Sequence, residues 1–229
     1  MAELPPKQPP PSPALEKLAD EEEIYLTEVL DEALYGIRIE KFKKYRVYNA
    51  TGTTLFEGSE DNPEIWRKIM FQSNRSFHMT FRSSGEDHPV MRLHRYTSND
   101  YQDITKMLKR HMRVIGPGDN TLGVVQQSTF ATFRTPDFKI VDQSGADRYF
   151  LKGPIHPFPS FQQEKLFRIE AASNNSEIGA ITRKYPAGNY QVLDRQPRNL
   201  QITFPKDLYL EMKACLIGAA VLIDFMVFE

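Results

Sequence analysis

Alternating hydrophobic and polar residues recur along the chain in pairs of short segments. In the first pair, Tyr45–Tyr48 and Thr54–Glu57 flank a connection that contains Asn49 and Gly52. Alternation is typical of strands with one buried face, and Asn and Gly favour the tight turn of a hairpin. The pattern returns three times, in Phe77–Phe81 with Val90–His94, Phe138–Val141 with Arg148–Leu151, and Leu166–Ile169 with Ile178–Ile181.

Four successive hairpins predict a mainly β fold, an antiparallel meander that closes into a barrel or forms a sandwich. Closure into a barrel removes the exposed strand edges that promote aggregation. A barrel of this size has room inside. A terminal apolar helix could fill that room without any membrane.

The C-terminus breaks the alternation with an uninterrupted apolar run, Ala214–Ile223, between Lys213 and Asp224. A membrane-spanning helix needs about 20 predominantly apolar residues. Leu208–Phe228 has that length, but it also contains Glu211, Lys213 and Asp224, and charges are costly in lipid. Two interpretations stay open, a short membrane helix with Asp224 near an interface and a helix buried in a soluble fold. Length and charge slightly favour the buried helix.

Residues 21–39 place apolar side chains such as Ile24, Leu30 and Ile37 among acidic ones. The spacing partly fits an amphipathic helix that breaks near Gly36. We therefore predict a helix before the first hairpin.

Six prolines lie within the first 13 residues. Proline removes amide donors and favours an extended chain, so residues 1–20 are predicted to be a disordered tail and residues 21–229 the folded domain. The tail has no apolar stretch of the kind that a secretory signal needs. Pro6 with Pro9, and Pro10 with Pro13, have the spacing that SH3 and WW domains bind, although a tail without a dedicated partner is the more common case.

Composition excludes several function classes. Lys and Arg number 29 against 30 Asp and Glu, a net charge of −1 that gives no general attraction for nucleic acid. A single Cys excludes an intramolecular disulfide framework and zinc sites built from several thiolates. The five histidines have no ligand-pair spacing and are expected to be strand or loop residues rather than metal ligands: His78, His88, His94, His111 and His156.

The C-terminal sequence Phe204–Leu208, followed by Met212–Glu229, resembles the C-terminal signature of the phospholipid scramblases. The resemblance continues in order along the chain, in Tyr45–Glu57, Phe77–Arg82, Leu122–Val125, Phe138–Val141 with Leu151–Pro154, and Ile178–Arg183. It implies a tubby-like fold, a β-barrel around a hydrophobic C-terminal helix at 208–228. The helix residues of interest are Lys213, Cys215, Gly218, Asp224 and Phe225.

The activity that the resemblance implies is calcium-stimulated, energy-independent movement of phospholipids between the leaflets of a membrane. No covalent step is involved, so no catalytic residue is expected and the protein would not be an enzyme. The implied location is the cytoplasmic face of a membrane, most commonly the plasma membrane. The alternative is a soluble tubby-like module that binds lipid or protein without transport.

Scramblases carry a twelve-residue calcium segment, which matches Gln196–Asp207 here. Calcium loops need carboxylates at the first, third and last positions, and only Asp207 provides one, because the first residue is Gln196 and the third is Arg198. With Asp194 just outside, we expect at most a weak site. The favoured alternative is that 199–204 forms the last strand, with Leu200, Ile202 and Phe204 inward.

Family members often carry palmitoylated Cys clusters, and the matching stretches here, 101–110 and 155–163, contain no Cys. The remaining candidates for contact with anionic headgroups are basic residues, each worth about 1 kcal/mol near a charged membrane. They are Lys106, Lys109, Arg110 and Arg113. A solvated strand face is an equal alternative. A nuclear import segment at Ile181–Tyr185 is only weakly indicated by its two basic residues.

Overall fold

The computed structural model describes residues 13–29, 43–61, 76–85, 88–96, 111–128, 137–154, 165–184 and 199–228. In these ranges twelve antiparallel strands form a closed barrel, with each strand beside its sequence neighbours and the last beside the first. The strands are β1 (Glu23–Glu28), β2 (Lys44–Asn49), β3 (Thr54–Asp61), β4 (Phe77–Ser83), β5 (Pro89–Tyr96), β6 (His111–Ile115), β7 (Thr121–Gln127), β8 (Phe138–Asp142), β9 (Asp147–Lys152), β10 (Lys165–Ala171), β11 (Glu177–Lys184) and β12 (Asn199–Thr203).

All four predicted hairpins are confirmed, as β2–β3, β4–β5, β8–β9 and β10–β11. The first turn is held by Asn49, whose side-chain oxygen accepts hydrogen bonds from the amides of Thr51 (3.1 Å) and Thr53 (2.8 Å). Gly52 has φ 83°, a left-handed conformation that a residue without Cβ adopts at little cost. The tubby-like fold implied by the resemblance is thereby confirmed as a closed barrel with a C-terminal helix.

The predicted helix over 21–39 is wrong in its described part. Glu23–Glu28 forms strand β1, which pairs with β2 on one side and β12 on the other. Ile24 and Leu26 are fully buried while Tyr25 and Thr27 between them are partly exposed, so the burial has period two. Two neighbouring strands satisfy the backbone of this segment, and that pairing overrides the local helical spacing. Residues 30–42 lie outside the described residues.

The C-terminal helix, α1 (Leu210–Ile223), continues into a π-helical turn over Asp224–Phe228. Leu208, the predicted start, lies in the preceding turn. All residues from Met212 to Phe225 are buried, and α1 packs against β6, β7, β8 and β12 from inside the barrel. From Ala214 to Ile223, apolar and small residues cover every side of α1, as expected for a helix enclosed by protein. Of the two interpretations of this segment, the structure has the buried helix.

In the described residues, no helix has both the length and the apolar character that crossing a bilayer requires.

Residues 13–20 differ from the predicted disordered tail. Pro13–Leu18 forms a 3-10 helix, and its Leu15 and Leu18 are fully buried in the core beside α1. Burial of two leucines supplies the free energy that orders this segment, so the folded domain begins before residue 21. Pro13 is the exposed first residue of that helix. Pro6, Pro9 and Pro10 lie outside the described residues.

The topology gives the barrel two different ends. At the turn end, short connections join β2–β3, β4–β5, β6–β7, β8–β9 and β10–β11, and the chain passes from β12 into α1. At the far end, the longer connections leave the strands and α1 reaches its C-terminus. The two ends therefore surround opposite ends of the helix, and each holds its own set of charged residues.

Candidate functional site

A buried charged cluster surrounds the C-terminal end of α1. The hydroxyl of Tyr45 donates a hydrogen bond to Oδ2 of Asp224 (2.7 Å), and Nζ of Lys43 lies 3.6 Å from the same oxygen. Lys43 is also 3.4 Å from Oε1 of Glu28. All four residues are buried. Because buried charges are tolerated when they are paired, this cluster fixes Asp224 to strands β1 and β2 at the far end.

Aromatic rings extend the same cluster. Phe225 stacks on Phe77 with ring centroids 4.2 Å apart, and Nζ of Lys43 lies 4.3 Å from the centroid of Phe225. The guanidinium carbon of the fully buried Arg95 lies 5.8 Å from the Phe77 ring. Sequence reasoning named Asp224 and Phe225 but missed Lys43 and Arg95. The alternation in β5 could have identified Arg95, because it occupies a position whose side chain points into the barrel.

Lys213 occupies the opposite end of the helix. Its Nζ donates hydrogen bonds to four backbone carbonyl oxygens, those of Leu18 (2.9 Å), Ala19 (3.0 Å), Glu21 (2.8 Å) and Lys206 (2.8 Å). Burial lowers the pKa of Lys213, and nearby carboxylates, Glu21 first among them, oppose that shift. One side chain therefore joins α1 to the 3-10 segment and to the turn after β12.

The middle of α1 packs tightly against the barrel wall at small residues. A Cβ on Gly218 would lie 2.8 Å from Cγ2 of Val114 on β6. A Cβ on Gly123 of β7 would lie 2.7 Å from Sγ of Cys215. Burial raises the pKa of the Cys215 thiol, which keeps it protonated. Cys215 and Gly218 are thus packing residues of the enclosed helix.

The segment that matches the calcium loop is part of the barrel in its described portion. Asn199–Thr203 is β12, and Leu200, Ile202 and Phe204 are buried, which confirms the strand interpretation of 199–204. Asp207 is exposed in the turn that follows. Within the described ranges, no group of three or more His, Cys, Asp or Glu side chains is placed to hold a metal ion. Asp194, Gln196 and Arg198 lie outside those ranges.

An open cavity of about 970 Å³ lies beside Asp207 at the turn end. Its charged lining residues are Glu22, Glu23, Lys206 and Asp207, and Lys206 pairs with Asp20 at 3.2 Å. The arrangement is a solvated acidic rim around apolar side chains.

Three histidines, a tyrosine and an arginine share the outer surface of β4, β5 and β6 near the far end. We call this surface the histidine face; it consists of His78, His94, Tyr96, His111 and Arg113. The rings of His78 and His94 stack at 4.2 Å with an interplanar angle of 18°. Tyr96 meets His94 edge-on at 6.4 Å and stacks on His111 at 5.5 Å.

Arg113 is the described member of the four predicted headgroup contacts, and its guanidinium carbon lies 5.9 Å from the Tyr96 ring. Lys106, Lys109 and Arg110 lie outside the described residues, in the connection between β5 and β6.

The register of the strands brings together three histidines that are scattered in the sequence. Burial is the largest cause that lowers the pKa of His94, and the positive charges nearby lower it further. Those charges belong to His78, Arg92 and Arg113. The carboxylate of Asp61 raises the pKa of His94.

Comparison with known proteins places these features in a family context. The sequence model of the family described as Scramblase matches residues 3–229. Phospholipid scramblase 2 of Bos taurus is 27% identical over 234 residues, covering 100% of this chain and 75% of the relative. Phospholipid scramblase 1 of Homo sapiens is 26% identical over 230 residues, covering 99% and 70%. Phospholipid scramblase 4 of Homo sapiens is 34% identical over 79 residues, covering 34% and 23%. No solved structure gives a significant match.

Proposed function

This chain belongs to the scramblase family, and from that premise we propose that it moves phospholipids between the two leaflets of a membrane without an energy source. The observation that carries the proposal is the family match over residues 3–229, together with relatives named phospholipid scramblases. Transport of this kind makes and breaks no covalent bond. It requires only a surface that binds the membrane and lowers the barrier for a headgroup to cross the apolar core.

The proposed location is the cytoplasmic face of the plasma membrane, with the far end of the barrel toward the lipid. Arg113, the described member of the predicted headgroup contacts, supports this orientation because it lies near that end on β6. Lys106, Lys109 and Arg110 are the other headgroup contacts that we propose, and they lie outside the described residues. The proline motifs at Pro6–Pro9 and Pro10–Pro13 would offer SH3 or WW proteins a binding segment.

A second candidate function is lipid or protein binding without transport. Two features favour it. The apolar residues Met212–Phe225 are covered by the barrel, and Lys213 and Asp224 tie the helix at both ends, so this stretch offers the bilayer no apolar surface in this state. The calcium segment also lacks the carboxylates at its first and third positions. We therefore propose that any transport depends weakly on calcium.

Reconstitution of the full chain into vesicles with a fluorescent phospholipid separates the two functions. A quencher that cannot cross the membrane removes only the outer-leaflet signal, about half, unless lipids exchange between leaflets. We expect loss well beyond half, with little change across a calcium titration. If the quencher removes only half of the fluorescence, as in protein-free vesicles, the protein does not transport lipid and the binding function is favoured.

A matched pair of variants tests the calcium segment. Gln196→Asp with Arg198→Asp supplies the two missing carboxylates, but we expect transport to stay insensitive to calcium. Strand β12 (Asn199–Thr203) runs along the barrel wall between these positions and Asp207, and one calcium ion needs all of its ligands in direct contact. Asp207→Asn in the natural background removes the last carboxylate and should leave the calcium response unchanged. A calcium response that is strong in the natural chain and lost in Asp207→Asn would contradict the proposed weak dependence.

A further inference from the structure

The histidine face groups three histidine rings and a tyrosine ring in mutual contact on one surface. His94 occupies the centre of a row across the sheet, directly opposite His78 on β4 and Arg113 on β6. In the same register, Asp61 on β3 lies opposite His78, and Val124 on β7 lies opposite Arg113. The row therefore runs from one carboxylate through two imidazoles to a guanidinium.

The neighbouring row adds a second titratable ring. His111 of β6 lies opposite Tyr96 of β5 and, on its other side, opposite the neutral Gln126 of β7. Along β5 itself, Arg92 also faces outward, and its guanidinium pairs with Asp119 at 2.6 Å. Apart from the carboxylates of Asp61 and Asp119 and the phenol of Tyr96, the charged and titratable groups around His94 in the described residues carry or can acquire positive charge.

Protonation of His78 and His94 would place positive charges next to each other and next to Arg113. Like charges directly opposite each other destabilise a sheet, and the centroids of His78 and His94 are only 4.2 Å apart. His94 has a pKa below its ordinary value because of burial and these cationic neighbours. The pKa of His94 is therefore lower in the folded protein than in the unfolded chain, where it is about 6.5. As the pH falls below that value, the folded protein loses stability relative to the unfolded chain.

An anion bound over the row would offset the repulsion between these positive charges. It would lie between the imidazolium groups and the Arg113 guanidinium, so their mutual repulsion would be replaced by attraction to a common partner. Proton uptake would then favour anion binding, and anion binding would favour proton uptake to the same extent. The face has the form of an anion contact whose strength depends on pH.

We propose that the histidine face is a proton-gated contact for the anionic surface of a phospholipid membrane. A membrane fits this surface better than a small anion because the rings and Arg113 extend over three adjacent strands. Tyr96 adds the amphipathic ring that is common at membrane interfaces. The proposal rests on the membrane function given above, and it names the surface and the regulation of that contact.

Binding of the full chain to vesicles tests the proposal without requiring transport. The probes are phosphatidylcholine vesicles with and without phosphatidylserine, at about pH 7.5 and about pH 5.5, on either side of the ordinary histidine pKa. Each basic group near an anionic membrane contributes about 1 kcal/mol, so two or three new charges predict binding on the order of tenfold to a hundredfold tighter at the lower pH. High salt should remove most of that gain.

Matched variants locate the effect. His78→Gln with His94→Gln should bind as the natural chain does at the higher pH and lose most of the gain at the lower pH. His88→Gln makes the same type of change in the β4–β5 turn, at the opposite end of the barrel, and should keep the full gain. Arg113→Gln should weaken binding at both pH values. Circular dichroism at each pH confirms that every variant compared is folded.

A histidine NMR titration gives an independent readout. The pKa of His94 should rise when micelles of short-chain phosphatidylserine are present, and it should move little with inorganic phosphate. An unchanged His94 pKa, an equal shift with phosphate alone, or stronger acid-dependent retention on DNA than on vesicles would overturn the assignment. So would a pH gain that survives in the double variant or disappears in His88→Gln. Transport that persists while the pH gain is absent would overturn this inference and leave the proposed function standing.

Discussion

Lys213 and Asp224 are two of the three charged residues that argue against a membrane span, and inside the barrel they hold the two ends of the helix. Lys213 donates to four carbonyl oxygens at the turn end, and Asp224 accepts from Tyr45 and lies near Lys43 at the far end. A side chain that would be costly in lipid is satisfied here by polar partners that the barrel brings to it.

Asp224→Leu should lower the free energy of unfolding by about 2–4 kcal/mol, because Lys43 would keep a buried charge with one carboxylate fewer and the Tyr45 hydroxyl would lose its acceptor. Urea unfolding of the full chain measures the change. Tyr45→Phe is the matched control, since it removes the hydrogen bond but leaves the charges, and it should cost about 1 kcal/mol. An Asp224→Leu variant as stable as the natural chain would contradict the buried cluster.

At the level of elements, α1 fits the barrel because small residues face its closest neighbours. Gly218 faces Val114 of β6, and Cys215 faces Gly123 of β7. Their close packing leaves no space for an added methyl group, and close-packed interiors tolerate extra volume poorly. The position of the helix relative to β6 and β7 is thus set by side-chain size.

Gly218→Ala should destabilise the protein by about 1–3 kcal/mol, although alanine is the better helix former, because its Cβ would lie 2.8 Å from Val114 Cγ2. Thermal and urea unfolding measure the loss. Val114→Ala alone should also destabilise, by removing buried methyl groups. In the double variant the alanine of residue 218 would find space, so the combined loss should be smaller than the sum. Simple additivity would show that the two residues are not in contact.

For the whole molecule, the closed barrel has a helix as its core. A helix in this position can exchange its amide hydrogens only when the barrel opens, so amides of Leu216–Ile223 should be among the slowest in hydrogen exchange and should report global unfolding. Mass spectrometry of the full chain without lipid measures this. Exchange of the helix that is faster than exchange of β6 and β7 would mean that α1 leaves the barrel on its own.

The same measurement with anionic vesicles distinguishes the two candidate functions at the level of the whole molecule. Faster helix exchange on vesicles would link membrane contact to release of α1 and support transport. Unchanged protection, with slower exchange confined to β4, β5 and β6, would support a binding module that docks as a closed barrel.

Sequence patterns predicted much of the fold because hairpins and the apolar helix depend on residues that are close together along the chain. Tyr45–Tyr48 and Thr54–Glu57 alternate and flank a turn that Asn49 and Gly52 favour, so neighbouring residues contain the information for that hairpin. The same holds for the apolar run Ala214–Ile223. Local patterns failed at Glu23–Glu28, where the spacing suggested a helix and pairing with β2 and β12 imposed a strand.

The sequence by itself determined the hairpins, the apolar helix, the near-neutral net charge and the missing carboxylates of the calcium segment, because each depends on residue identity or on neighbours along the chain. Only the tertiary structure decided that the helix is enclosed, that Lys43 and Tyr45 reach Asp224, and that His78, His94 and His111 share one surface. Those residues are far apart in sequence, and the register of antiparallel strands around a closed barrel brings them together.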